Sequence, residues 1–320
     1  MDSLLSIRVP ATSANLGSGF DAMGFALGLY NIFKITELLP QGEYKIEAKG
    51  EGAKELTNPE KNLVIKSYEK ALIKWGVTGP GFTMWCHNII PLCRGLGSSS
   101  SAVVAGVLIA KHLTNYDATD DELITIMTEI EGHPDNVAPC FKGGMVVSCW
   151  DKTQLRYVKL PALTKKILCV VAVPEERVST SDARAVLPQT VSFEDAVFNL
   201  GRAALLASAW ATGKWEHLKW GMEDKLHQPY RNKLFSGGDV IFDRVRELPE
   251  CLSVAISGSG PSVIAFVEGS TVSRVANAMC KTFTERGVRS QFFVLEGTEN
   301  GAFVRASKDL QKALQKVVKK

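Results

Sequence analysis

The chain has 320 residues, 45% of them hydrophobic and 22% charged, with a formal net charge of +3. Such a composition is that of an ordinary soluble globular protein of about two domains and excludes a disordered or fibrous chain. The small positive charge sits in the tail, where Lys308, Lys312, Lys316, Lys319 and Lys320 face one acid, Asp309; the remainder is close to neutral, so neither nucleic acid nor a membrane is an expected partner.

Taken in chain order, Leu5–Val9, Asn31–Leu38 and Tyr44–Ala48 read as strands. Asn62–Trp75 reads as a helix, with Val64, Ile65, Tyr68, Ala71, Leu72 and Trp75 on one side and Gly76 as its stop. Phe82–Ile90 is a strand that runs into a glycine- and serine-rich loop and then an apolar helix, Ala102–Leu113. Thr119 and Glu122 form a capping box that opens a helix over Asp120–Glu131. Gly144–Trp150, Leu155–Leu160 and Ile167–Val173 are strands, and the polar, proline-bounded Pro174–Pro188 reads as a surface loop. Helices are expected over Phe193–Ala211, Trp215–Leu226 and Asp239–Glu247. Strands Leu252–Ile256 and Ser262–Val267 flank a glycine turn, and helix Val272–Arg286 and strand Ser290–Glu296 close the body. Strands and helices mix without strict alternation, which points to an α+β fold, with a domain boundary near Trp150–Thr153.

The seven cysteines are scattered, odd in number and form no C-x-x-C pair. They are expected to be reduced thiols in a cytoplasmic protein, not a disulfide framework or a zinc site. The segment Met1-Asp2-Ser3-Leu4-Leu5 has no basic n-region, and the longest apolar run, Ala102–Ala110, is far short of the ~20 residues that span a bilayer, so neither a secretory signal nor a span is expected.

Four polar islands stand out. The most informative is Pro91-Leu92-Cys93-Arg94-Gly95-Leu96-Gly97-Ser98-Ser99-Ser100-Ser101. A helix start has unpartnered N–H groups and a partial positive charge, glycines admit close approach of a ligand, and serine hydroxyls and Arg94 add donors and a cation. Together they make a polyanion cradle, best suited to a nucleotide phosphate chain. It is neither a Walker A loop nor a kinase Gly-x-Gly-x-x-Gly lid. The other islands are Val9–Asp21, Glu129–Asn136 and Ser257-Gly258-Ser259-Gly260-Pro261-Ser262.

The first, second and fourth islands in chain order resemble the three signature motifs of the GHMP small-molecule kinases (galacto-, homoserine, mevalonate and phosphomevalonate kinases), Pro-x-x-x-Gly-Leu-Gly-Ser-Ser being the specific one. Within that family the chain is most similar to the homoserine branch, on Pro10-Ala11-Thr12-Ser13-Ala14-Asn15-Leu16-Gly17 and Gly132-His133-Pro134-Asp135-Asn136-Val137-Ala138-Pro139. The resemblance implies a two-domain α+β fold. The N-terminal domain, over 1–150, would contain a left-handed βαβ unit. A ferredoxin-like C-terminal domain over 151–304 would lend its glycine turn to the active site, and a basic helix would occupy 305–320.

It also implies a Mg²⁺- and ATP-dependent phosphotransferase, acting as a homodimer on a small amino acid that carries a hydroxyl, in threonine biosynthesis. The loop from Pro91 to Ser101 would hold the phosphates, and Asn62 lies where the family contacts adenine. Ser98 or Ser99 with one carboxylate would hold the metal. Helical phase does not decide between Glu129 and Glu131; the resemblance favours Glu129. Asn15, Asp21 and His133 match contacts to the acceptor's amino and hydroxyl end, Thr180 and the turn Gly258-Ser259-Gly260 match further substrate positions, and Arg184 and Arg231 match the pair that grips its carboxylate. Asp135 and Asn136 are the expected catalytic pair, Asp135 serving either as base or only to position the hydroxyl. Another small alcohol as acceptor, or an inactive nucleotide-binding relative, are the competing readings.

Overall fold

The computed structural model describes residues 3–269 and 272–318. Its first layer is a seven-stranded sheet. β1 (Leu5–Ala14) and β2 (Met23–Leu39) form an antiparallel hairpin with a bulge at Pro10/Ala11. β3 (Tyr44–Gly50) and β4 (Gly81–Asn88) make the one parallel pair among the described strands. Parallel neighbours need a crossover, here supplied by α1 (Ala53–Leu56) and α2 (Leu63–Trp75). α2 begins where the Asn62 side chain accepts the Val64 N–H and ends at Gly76, whose left-handed φ of 65° stops the helix.

Three further helices cover the same face: α3 (Ser98–Thr114), α4 (Asp120–Glu131) and α5 (Pro134–Lys142). α3 is apolar on nearly every side because α2, α4, α5 and β1 surround it, and its valines, Leu108 and Ile109 form the centre of the first core. The capping box of Thr119 and Glu122 is present at the start of α4.

β5 (Met145–Trp150) pairs with β2, and β6 (Leu155–Leu160) pairs with β5. The first layer therefore runs through Leu160. The boundary expected at Trp150–Thr153 falls inside a hairpin of the first sheet, and the crossing to the second sheet lies at 161–166. That second sheet contains β7 (Ile167–Pro174), β8 (Cys251–Ile256), β9 (Val263–Glu268) and β10 (Ser290–Leu295), in the order β10-β7-β9-β8. This is the antiparallel ferredoxin-like arrangement.

Between β7 and β8 come α6 (Thr180–Ala185), α7 (Phe193–Thr212), α8 (Leu218–Gly221), α9 (Gln228–Arg231) and α10 (Ile241–Arg246). α11 (Val272–Glu285) joins α10 on the far face of the second sheet. Two expectations fail here for local reasons. The segment 174–188 is not all loop: Ser179 accepts the Asp182 N–H and opens α6. The helix expected over Trp215–Leu226 breaks up after Gly221. The Asp224 carboxylate accepts the N–H groups of Leu226, His227 and Gln228, which turns the chain and restarts it as α9.

The two sheets share a core in which Phe25, Leu27, Leu206, Trp210, Met222 and Phe266 meet. A strand that periodicity missed, β11 (Phe303–Ala306), returns to pair with β1. α12 (Leu310–Val318) then buries Leu310 and Leu314 in the first core, so this helix packs on the first layer instead of standing apart, while the last two residues of the expected 305–320 helix lie outside the described residues.

Candidate active site

The described residues enclose a cavity of about 330 Å³ where the two layers meet. Its floor is the loop between β4 and α3. The helix starts at Ser98, earlier than sequence periodicity indicates, with Gly97 before it at φ 70° and no side chain capping its first N–H groups. Those groups stay available to an anion. A Cβ at Gly97 would lie 2.0 Å from Thr12 Oγ1, and one at Gly95 would lie 1.9 Å from the Ser257 carbonyl oxygen. Neither position accepts a side chain, so the loop is pressed between the first island and the second domain's glycine turn.

Hydrogen bonds fix that three-way junction. Ser257 Oγ donates to Gly95 O at 2.7 Å and accepts from Ser13 Oγ at 2.9 Å, and the Gly258 N–H reaches Ala14 O at 3.1 Å. Asn15 Nδ2 donates to Gly258 O at 2.8 Å, while Asn15 Oδ1 accepts the Asp21 N–H at 3.0 Å. Gly258 and Ser259 line the cavity. Gly260 stands behind the turn with its N–H on Ser257 O and does not.

Arg94, expected as a fixed cation among the phosphates, has another task. Its Nε, Nη1 and Nη2 donate to the carbonyls of Pro174, Leu92 and Glu175 at 2.8–2.9 Å, which ties the loop to the end of β7. Pro91 to Ser99 line the cavity, whereas Ser100 and Ser101 are buried behind it. Asn62 also lines the cavity, but both its amide atoms are engaged by Val64 N and Leu56 O, so it shapes the pocket wall. The wall beside it, Phe33, Leu56, Leu63, Val64 and Cys86, is an apolar slot that motif reading missed, because residues distant in sequence build it. Burial there pushes the Cys86 thiol up to about 11.

The preference for Glu129 is overturned. Its carboxylate lies 3.0 Å from Lys74 Nζ on the outer side of α4, away from the cavity. Glu131, the last residue of α4, lines the cavity, and its Oε1 accepts hydrogen bonds from Ser99 Oγ at 2.8 Å and Ser100 Oγ at 2.9 Å. Serine hydroxyls on a carboxylate form an all-oxygen donor set that suits a hard divalent ion; Ser98 Oγ, which also lines the cavity, points instead to Asn88 Oδ1 at 3.4 Å. Among the described residues there is no cluster of three or more His, Cys, Asp or Glu side chains suited to a metal.

On the opposite wall, Asp135 is 2% exposed and its Oδ1 is engaged by His133 Nδ1 and, at 3.4 Å, by Asn136 Nδ2. Burial would lower the His133 pKa, but the adjoining Asp135 carboxylate outweighs it and the net direction is up. Asn136 Oδ1 accepts from Thr12 Oγ1 at 2.8 Å, which anchors α5 to β1.

Above them the two arginines converge on Phe20. The Arg184 guanidinium lies 5.8 Å and the Arg231 guanidinium 5.1 Å from its ring centroid, and His227 stacks on the same ring at 5.1 Å. Arg184 makes a two-pronged ion pair with Asp21, at 2.8 and 2.9 Å. Arg231 is 2% exposed and donates to Ala183 O and Gly258 O, with no carboxylate partner among the described residues. Burial and the neighbouring Arg184 push its pKa below the usual arginine value. Thr180, at the start of α6, lines the same end of the cavity.

A two-domain α+β body with a helix-start anion cradle, a carboxylate beside its serines and a polar acceptor pocket defines a small-molecule kinase. Residues 62–144 match the GHMP kinases N terminal domain and residues 204–285 the GHMP kinases C terminal domain. A homoserine kinase of Carboxydothermus hydrogenoformans is 40% identical over 300 residues, covering 93% of this chain and 96% of that one. A second, from Caldanaerobacter subterraneus, is 39% identical over 301 residues, covering 94% and 95%. The crystal structure of homoserine kinase from Cytophaga hutchinsonii superposes with a TM-score of 0.82 at 28% identity, covering 95% of this chain and 98% of that one. The chain belongs to the GHMP kinases and, within them, to the homoserine kinase family.

Proposed function

We propose that this chain transfers the γ-phosphate of ATP to the side-chain hydroxyl of L-homoserine, giving O-phospho-L-homoserine and ADP, as a step of threonine biosynthesis in the cytoplasm. The observation that carries the acceptor is Arg231. A buried guanidinium whose hydrogen bonds go only to carbonyls, with Asp21, Asp135 and Asp224 near it but none in contact, is costly unless an anion completes it. An amino-acid carboxylate is such an anion; galactose has none.

The Asp21–Arg184 pair supports the same reading. A zwitterionic acceptor can exchange into it, its ammonium replacing Arg184 on Asp21 and its carboxylate replacing Asp21 on Arg184. Charge balance is kept at each step. Phe20 keeps both guanidiniums against one ring, at 5.8 and 5.1 Å from its centroid, where a carboxylate can be gripped between them.

The apolar slot by Asn62 takes the adenine, and the N–H groups at Gly97–Ser99 take the phosphates. Ser98, Ser99 and Glu131 would hold Mg²⁺, which supplies charge neutralisation to the phosphate chain. Asp135, oriented by His133 and Asn136, receives the hydrogen bond of the acceptor hydroxyl and aligns its oxygen with the γ-phosphorus. Alignment and fixed donors then lower the barrier, since phosphoryl transfer is mainly positioning and electrostatics.

A coupled ADP-release assay over homoserine, mevalonate, galactose and threonine tests the reading. Saturable turnover with homoserine far above the others is expected; no turnover with homoserine overturns it, and no turnover with any acceptor would mark an inactive relative.

A further inference from the structure

The acceptor pocket draws its charged groups from both layers. Phe20 and Asp21 are on the loop between β1 and β2, whereas Arg184 is on α6 and Arg231 on α9. The loop has an unusual backbone. Asn15, Leu16, Gly17 and Asp21 all lie in the left-handed region, at φ 70°, 47°, 75° and 56°. Three of these four are not glycine, and such a run persists only where its surroundings over-determine it.

Those surroundings are the stretch 221–228 that leads into α9. Ser18 Oγ donates to Gly221 O at 2.6 Å, and a Cβ on Gly17 would lie 1.9 Å from Met222 O, so the two backbones touch. His227 Nε2 lies 2.8 Å from Gly17 O. One buried amide, Asn199 of α7, joins loop and stretch directly. Its Nδ2 donates to Ser18 O at 3.0 Å, and its Oδ1 accepts the Lys225 N–H at 3.0 Å. Asp224 takes the next three N–H groups, those of Leu226, His227 and Gln228. The Arg231 N–H then closes on His227 O at 2.9 Å, and Arg231 Nε reaches Ala183 O of α6 at 3.0 Å. A continuous set of hydrogen bonds therefore runs from the acceptor loop through Asn199 to both arginine-bearing helices.

The bland account of Asn199 is a satisfied amide whose loss costs stability alone. Its partners argue for more. Neither belongs to its own helix: Ser18 precedes Phe20 by two residues, and Lys225 precedes Arg231 by six. One partner needs a donor and the other an acceptor, which an amide supplies and neither a carboxylate nor an aliphatic chain does. α7 is a firm mount, since Leu206 and Trp210 fix it in the core that the two sheets share. Asn199 does not line the cavity, so whatever it does for the acceptor it does through these two contacts.

We infer that Asn199 is a positioning residue for phosphoryl transfer: it sets the loop bearing Phe20 and Asp21 at the separation from Arg231 at which the two charged ends of the acceptor are gripped. The inference rests on homoserine being that acceptor.

Initial rates over both substrates test it. Asn199→Leu keeps a similar volume and removes both hydrogen bonds. It should raise KM for homoserine at least tenfold and leave KM for ATP within a factor of about two. In an Arg231→Ala background the same substitution should add no more than about threefold, because the grip it sets has already lost one end. Equal factors in the two backgrounds, equal rises for homoserine and ATP, or a lowered melting temperature with an unchanged homoserine KM would each reduce Asn199 to a structural amide and overturn the inference. A wild-type chain that does not phosphorylate homoserine overturns the acceptor itself, and the inference with it. If Asn199→Leu does not fold, Asn199→Asp is read in the same way: an ionised carboxylate still accepts from Lys225 but has no proton to give Ser18.

Discussion

Arg184 and Asp21 hold each other through two N–H···O bonds across 163 residues of sequence, at the mouth of the acceptor pocket. Each has been assigned to an opposite end of the same zwitterion, and each is engaged by the other when the acceptor is absent. Asp21→Asn removes the ammonium partner and frees Arg184. KM for homoserine should rise by at least tenfold while KM for ATP stays within a factor of about two. Initial rates over both substrates measure the split, and a parallel rise in the two constants would contradict the assignment.

Arg231 should matter more, since its charge has no second partner. Losing a buried, hydrogen-bonded charge pair costs about 2 kcal/mol or more, which is roughly 30-fold in KM. Arg231→Ala is expected to raise the homoserine KM by that amount, and Arg231→Lys to recover little, because a point charge does not replace a planar fork. Methyl-esterified homoserine supplies the control: its KM should be insensitive to both substitutions.

The two glutamates of α4 separate by their metal response. Glu131→Gln should raise the Mg²⁺ concentration for half-maximal rate by an order of magnitude or more. Glu129→Gln should leave it unchanged, because it loses only an exposed pair with Lys74 worth about 0–1 kcal/mol. The reverse pattern would move the metal to the outer side of α4.

The His133–Asp135 pair makes stability depend on pH with a defined sign. The folded His133 pKa is raised above the ordinary value near 6.5. Its contribution is therefore full below about pH 6.5 and is lost as pH rises through the folded pKa. Wild type should exceed His133→Gln in Tm at pH 6, and the gap should close toward pH 9. A gap that widens with pH would mean the imidazole is neutral in the fold.

Gly97→Ala tests the cradle. The substitution must strain a φ of 70° and push a methyl onto Thr12 Oγ1. ATP affinity, followed by nucleotide-dependent thermal shift, should fall at least tenfold while the homoserine contacts persist.

Much of this was legible in the residues themselves. Asn62 and Gly76 bound α2, and Thr119 with Glu122 opens α4, because caps are local hydrogen bonds and need no distant partner. The phosphate cradle was legible for the same reason: glycines and serines at a helix start act through their own backbone. β11 was not. Four residues with no clear alternation become a strand only because β1 offers a free edge. Nor was the break after Gly221, which rests on one carboxylate, Asp224, collecting three N–H groups.

The sequence alone determined the kinase family, the anion loop from Pro91 to Ser101 and the residue types of the acceptor site, since each is a short run whose chemistry lies within itself. Tertiary structure decided which groups those residues face. The packing of α4 turns Glu129 outward, beside Lys74 on α2, and leaves Glu131 to the serines; the carbonyls of Pro174 and Glu175 hold Arg94 away from the phosphate side; and Asp21 meets Arg184. Such choices depend on distances between elements far apart in the chain, and periodicity within one element contains no information about them.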